Sequence, residues 1–275
     1  MAISRTQFYF LAGAAVLTLA LYFSGSESPV KEESSAEKTS SASFDDRLTA
    51  AKSSLDASGQ SRVSVLESQL KPDGSSDTAV LAQLGRTWDG FGSPAISAYY
   101  FEQIATRNSG EKEWLNAAYR YFDAFKMSDD SLFRAEMVQK AIDGYKKVLE
   151  INPGNLDAKT DLGVCYAEGS PQPMQGIMML REVVQENPSH EFAQYNLGVL
   201  SVKSGQMDKA VDRFSKVLEI NPKNYEAGFL LGRCYAEMGQ KEKAVAALEA
   251  VKSGSDNARL VEQSDNLIHQ INTNQ

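Results

Sequence analysis

Cysteine and histidine are scarce, with two of each in 275 residues. A disulfide framework needs more thiols, and a Cys/His zinc site needs several ligands at close spacing, so both are excluded. Lysine and arginine form no block and the net charge is −8. The chain therefore lacks the basic surface that tracks phosphates, and nucleic acid is not an expected partner. There is no glycine-rich phosphate loop, no metal-ligand cluster and no Ser/His/Asp arrangement. Without these the sequence offers no catalytic constellation, cofactor site or metal site, and the chain is not expected to be an enzyme. Nor does any segment alternate apolar and polar residues strongly enough to read as a strand.

Hydrophobic residues make up 42% of the chain, enough for a substantial core. Part of that content is concentrated at the start. No charge falls between Arg5 and Glu27, and Phe8 to Phe23 (FYFLAGAAVLTLALYF) is almost wholly apolar. About 20 such residues cross a hydrocarbon layer of about 30 Å. Phe8, Tyr9, Tyr22 and Phe23 stand at the two ends, where aromatic rings favour the membrane interface. Residues 7–25 are thus expected to form a single transmembrane helix after a short tail, 1–6. A cleaved signal peptide is the alternative, with Ser24-Gly25-Ser26 as a small-residue cleavage site. No Cys follows the apolar run, which argues against a lipoprotein anchor. Arg5 precedes the span while Glu27, Lys31, Glu32 and Glu33 come after it. The positive-inside rule then leaves the N-terminus in the cytoplasm and puts the rest of the chain across the membrane, which in a bacterium is the periplasm.

Residues 26–43 are rich in Ser, Glu and Lys, with Val30 the one large aliphatic residue, and read as a disordered tether. From Phe44 the spacing becomes helical. Phe44, Leu48, Ala51 and Leu55 form one run; Val63, Leu66 and Leu70 form another. Gly59 is expected to separate them and Lys71-Pro72-Asp73-Gly74 to end the second, giving a helical hairpin over 44–76.

Internal repetition dominates the remainder of the chain. Leu197-Gly198 leads to Gly205, Ala210, Phe214 and Pro222. Leu231-Gly232, 34 residues on, leads to Gly239, Ala244 and Leu248. Leu162-Gly163 leads to Gly176, Leu180 and Pro188. VLEINPGN at Val148 and VLEINPKN at Val217 close two units in nearly the same words, and GVCYAEG at Gly163 echoes GRCYAEMG at Gly232. These positions resemble the tetratricopeptide-repeat family over about Asp77 to Asp256, two thirds of the chain. Two earlier units fit with departures. In one, Ser97 replaces a small Ala; in the other, the closing half (Ala141, Tyr145, Val148, Pro153) arrives eleven residues late. Phe125 to Lys140 must therefore lengthen both helices or form an ordered loop. The small residues allow close helix approach, the large ones fill the gap to the next unit, and the prolines stop the second helix. One such unit cannot bury enough to stand alone, so neighbours must share faces.

The resemblance implies an all-α fold: a TPR-type solenoid, a right-handed superhelix of helical hairpins, here behind a membrane anchor. About five units would occupy 77–256, with a capping helix over 257–275 or the first helix of an incomplete sixth unit. It also implies a concave groove lined by a second stripe on each unit's first helix. Expected there are Lys112, Leu115, Tyr119 and Phe122, then Asp157, Thr160, Val164 and Glu168, then Phe192, Tyr195, Val199 and Lys203, then Glu226, Phe229, Arg233 and Glu237. Aromatic residues and Arg along a groove suit recognition of a protein or peptide partner. The alternative is that these aromatics pack between helices or against the 125–140 insert. The Lys/Asn/Arg set with which some members hold a C-terminal carboxylate is not matched: Asn196 is present, but Thr160, Phe229 and Leu230 stand where its companions would.

Cys165 and Cys234 read as small buried residues, His190 and His269 as surface or capping residues, and Met174, Met178 and Met179 as packing residues, with a sticky Met patch as the alternative. Asp129-Asp130 reads as a helix N-cap rather than a cation site. The expected function is a membrane-tethered protein-interaction scaffold. A self-associating, homo-oligomeric membrane-surface protein is the alternative.

Overall fold

The computed structural model describes residues 43–71 and 77–273. The expected membrane segment and residues 26–42 of the expected tether lie outside the described residues. Among the described residues there are thirteen α-helices and no strand. Helices α1 (Phe44–Ser54) and α2 (Ala57–Glu67) come first. Five antiparallel pairs come next: α3 (Thr78–Gly90) with α4 (Pro94–Asn108), α5 (Glu111–Met127) with α6 (Ser131–Ile151), α7 (Leu156–Gly169) with α8 (Pro173–Glu186), α9 (Glu191–Lys203) with α10 (Met207–Ile220), and α11 (Tyr225–Glu237) with α12 (Lys241–Gly254). Helix α13 (Ala258–Thr273) ends the stack. None of these helices is long and apolar enough to cross a membrane.

Local chemistry sets the boundaries. Ser43 and Asp46 form a reciprocal capping box at α1. Asp56, Asp77 and Asp130 each accept a backbone N–H at the start of α2, α3 and α6. Pro94 and Pro173 stand in the first turns of α4 and α8, where a missing N–H costs nothing. Gly59 does not separate the first two helices. The break falls at Leu55 and Asp56, and Gly59 lies in the first turn of α2, donating its N–H to the Asp56 carboxylate at 2.7 Å. Gly92, Gly205 and Gly239 take φ of 69°, 71° and 73° in the turns within three pairs, a region open to glycine at no steric cost.

The Leu-Gly pattern has a direct packing cause. A Cβ on Gly198 would lie 2.7 Å from Phe214, and one on Gly232 would lie 2.7 Å from Leu248. At Gly85 the obstacle is Phe101, at 2.5 Å. In these three units the first helix closes on the large residue of the second only because glycine stands opposite; in the second unit the roles exchange, with Gly144 of α6 facing Ala118 of α5. Ser97, the departure in the first unit, has its own partner: its hydroxyl accepts from Arg120 Nε at 2.9 Å. The Arg120 guanidinium also binds Asp89 and covers the Phe101 ring.

The second unit's late closing half is absorbed by longer helices. Helix α5 has 17 residues and α6 has 21, joined by Ser128–Asp130. Arg134 donates to the carbonyls of Phe125 and Ser128 at 2.8 and 3.0 Å and fastens this tip. The extension packs on the end of α7, where Gly169 makes room for Val138 and Phe125. The N-terminal helix meets it too: Arg47 of α1 binds Glu136 and covers the Phe133 ring.

Between units, a carboxylate in the first turn of one first helix binds the turn that starts the next unit. Glu111 accepts from Asn152 and Asn155, and Glu191 accepts from Asn221 and Asn224. At the middle junction Asp157 and His190 replace the pair, with Nε2 and Oδ1 3.1 Å apart. Asn155, His190 and Asn224 also cap α7, α9 and α11. The asparagine before each of Pro153, Pro188 and Pro222 leaves the helical region, with ψ of 86°, 91° and 92°, as the clash with the proline ring requires, and ends the second helix. The apolar core accordingly runs along the stack as four successive clusters, each shared between neighbouring helices, which is the quasi-linear arrangement of a repeat solenoid.

Candidate partner-binding face

The face of interest is carried by the first helices of the pairs, α5, α7, α9 and α11. Lys203 Nζ of α9 reaches Glu168 Oε1 of α7 at 2.5 Å, so the stripes of these two units adjoin. The expected stripe divides by exposure. Tyr119 and Phe192 are 53% and 45% exposed, with Lys112, Lys203 and Arg233 also exposed. Arg233 is 3.8 Å from Glu237 on the same helix. Leu115, Tyr195, Val199 and Phe229 are half-buried against the core. Tyr195 meets Phe214 edge-on at 5.9 Å, and burial together with Glu226 pushes its hydroxyl pKa up.

Phe122 does not line an open groove. It is 6% exposed, stacks on Phe125 at 5.7 Å, and is covered by the Lys126 ammonium. Thr160 and Val164 are buried as well. The physical reason is the lengthened second unit, whose Phe125, Met137 and Val138 share one apolar cluster with Phe122 and Val164. Helical spacing identifies which residues share a side; it does not reveal what the insert covers.

One residue beside the expected stripe has an unusual environment. The Asp161 carboxyl of α7 is pushed up to about 6, chiefly by burial and also by Asp157 and Asp123, with Tyr145 and Lys126 opposing. Tyr145 is fully buried next to it, its hydroxyl outside hydrogen-bonding geometry, and burial drives that hydroxyl's pKa far up. Spacing alone hides Asp161, because its environment is made by α5 and α6. With Asp157, whose side chain is 86% exposed, it gives this part of the face an acidic character.

The remaining candidates take structural places. Cys165 and Cys234 are buried free thiols whose pKa values burial raises. His190 is a cap, with Nδ1 accepting from the Ala193 N–H at 3.3 Å, and is buried rather than on the surface. His269 is exposed. Asp130 caps α6, accepting from Leu132 and Phe133. Met179 packs on the core, whereas Met174 and Met178 are 59% and 57% exposed. Among the described residues no group of His, Cys, Asp or Glu could hold a metal ion.

Comparison with known proteins agrees with this architecture. Residues 202–260 match the tetratricopeptide-repeat family. The mitochondrial import receptor subunit TOM70 of Rattus norvegicus and that of Mus musculus are each 22% identical over 124 residues, which is 45% of this chain and 20% of theirs. The chain thus spans about a fifth of the length of the curated relatives it matches. Among solved structures, a thermophilic TPR protein of Thermus thermophilus aligns with a TM-score of 0.52 and 16% identity over 69% of this chain and 98% of that one. MamA aligns with a TM-score of 0.49 and 19% identity over 62% of this chain and 94% of its own. YrrB, a TPR protein with an unusual peptide-binding site, aligns at 0.45 and 19% over 69% and 92%. The paired helices and the glycine-mediated contacts make the described residues an all-α, TPR-like solenoid of helical repeats, of which residues 202–260 match the tetratricopeptide-repeat family itself.

Proposed function

We propose that this chain is a protein-interaction scaffold, tethered to a membrane by residues 7–25, which binds a partner polypeptide along the first helices of its units. The observation that carries the reading is the exposure of Tyr119 and Phe192 on that face, at 53% and 45%. Large rings left in water next to half-buried apolar neighbours are the usual anchors of an interface. Asp157 and Asp161, on the first helix of the unit after Tyr119, favour a partner segment that carries basic residues. The tether rests on the uncharged run between Arg5 and Glu27.

Photo-crosslinkers at Tyr119 and Phe192 in the full-length chain should trap one defined partner from membranes. The double variant Tyr119→Ala/Phe192→Ala should lose it; retention of every partner by that variant would remove this face from the reading. Alkaline carbonate extraction tests the tether separately, since release of the full-length chain into the supernatant contradicts a retained span. The self-association alternative draws no support from the terminal helix, because Leu260, Ile268 and Ile271 are each only 8% exposed.

A further inference from the structure

A cleft of about 790 Å³ opens between the second helices α8 and α10 and is floored by α9. Its charge inverts that of the chain. The sequence holds 28 Lys and Arg against 36 Asp and Glu, yet the cleft is lined by five cations and one carboxylate, Asp212. Two of the cations, Lys203 and Lys216, pair with Glu168 and Glu219. Among the described residues the other three, Arg181, Lys209 and Arg213, form no salt bridge, and Lys209 Nζ donates to the neutral Gln206 Oε1 at 2.6 Å.

The cleft is also organised. Arg213 Nη1 donates to Gln194 Oε1 at 2.7 Å, and Gln194, only 4% exposed, donates in turn to the Pro188 carbonyl at 2.8 Å. A buried amide therefore holds the guanidinium in place. Arg181 lines the same cleft, and burial, followed by the Arg181 charge, lowers the Arg213 pKa, with Asp212 opposing. Beside them Ile177 and Leu197 give an apolar floor, with exposed Met174 at the rim.

We infer that this cleft docks an acidic segment of a partner polypeptide, with carboxylates meeting Arg181 and Arg213 and an apolar side chain seated on Ile177 and Leu197. Charge complementarity selects the partner. Planar guanidiniums hold carboxylates by paired hydrogen bonds, and a preset Arg213 gives up little freedom on binding. A nucleic acid fits less well, since no aromatic ring lines the cleft to stack a base. The site is walled by the second helices α8 and α10; it meets the first-helix face at Lys203 but contains neither Tyr119 nor Phe192.

The test is peptide display selection on the full-length chain in detergent micelles, followed by binding measurements on the selected peptides by fluorescence anisotropy. Selection should return peptides that combine Asp or Glu with one large apolar residue. Arg181→Glu/Lys209→Glu changes two cations outside the buried hydrogen-bond chain, so circular dichroism should be unaltered. That variant should weaken the acidic peptides about tenfold or more and remove most of their salt dependence. Tyr119→Ala/Phe192→Ala should leave them bound, which separates failure of this site from failure of the first-helix face. Absence of acidic binders, or acidic binders indifferent to the charge reversal, overturns the proposal. So does equal binding of a polyphosphate or of polyglutamate, which would reduce the cleft to a nonspecific anion patch. Competition by a peptide copied from this chain's own acidic stretches, at equal strength, would likewise replace the partner with a second copy.

Discussion

Arg47 grips Glu136 with both terminal nitrogens of its guanidinium, at 3.1 and 2.5 Å, across 89 residues of sequence. Helix α1 has no fully buried residue; this fork, the Phe44 contacts with Tyr99 and Tyr100, and the half-buried Leu48 and Ala51 hold it to the stack. Both partners are partly exposed, at 17% and 32%, which limits the stability they supply. Arg47→Ala should cost about 0.5–1 kcal/mol globally. It should raise hydrogen exchange over residues 44–54 far more than elsewhere, because the opening is local. Uniform exchange across the chain would show that α1 is held by other contacts.

Glycine substitutions should divide sharply by surroundings. A Cβ on Gly176 would lie 2.1 Å from the Gly163 carbonyl oxygen and 2.5 Å from the Ala167 backbone nitrogen. Backbone cannot swing aside, so Gly176→Ala should cost about 3 kcal/mol or more in urea unfolding. Gly90, at the end of α3, has nothing within 4 Å of its Cβ position. Gly90→Ala should be neutral or gain about 0.5 kcal/mol by restricting the unfolded chain. Equal effects would contradict the close approach of α7 and α8.

Much of this was legible before any coordinates, for a reason that applies unit by unit. Leu197-Gly198 and Phe214 belong to one hairpin, so their spacing in sequence is their contact in space. The same locality makes Pro188 and Pro222 readable as helix stops and Asp130 readable as a cap. What escaped the sequence is what distant segments create together. Phe122 has the spacing of a groove residue and is covered by the lengthened α5–α6 pair. Asp161 has an ordinary place on α7 and acquires its environment from Tyr145 and Asp123. Arg181 and Arg213 belong to different units, and only the stacking of those units sets them beside one cleft. Gly59 misled because a glycine between two apolar runs usually marks a break; here it relieves crowding with Asp56 and Phe91 inside the first turn of α2.

The Asp161 carboxyl gives stability a pH dependence of a definite sign. Its pKa rises from 3.8 to about 6 on folding, so between those values the folded chain holds more protons than the unfolded one. This residue's contribution therefore falls as pH rises from about 4 to about 6 and is level above that. Asp161→Asn removes the penalty. Its stability relative to the native chain should grow across that window by on the order of 1–3 kcal/mol. Urea unfolding at pH 4.5, 5.5 and 7 measures it, and a constant difference would mean that Asp161 titrates as an ordinary carboxylate. Tyr145→Phe removes the hydroxyl that opposes the rise, so the Asp161 pKa should climb further and the pH-dependent loss should extend above pH 6 in the same urea series.

The His190–Asp157 junction can be tested against its neighbours. His190→Asn restores the residue found at Asn155 and Asn224 and should fold with unchanged stability. His190→Ala removes both the cap of α9 and the contact to Asp157, and should cost about 1–2 kcal/mol. Thermal unfolding followed by circular dichroism distinguishes them; equal losses would show that the imidazole is required for its shape rather than its hydrogen bonds.

Those three junctions make the chain modular in an engineering sense. Because Glu111, Asp157 and Glu191 each fasten to the start of the next hairpin with interchangeable hardware, a hairpin can be spliced out or duplicated between matching clasps while both seams stay closed.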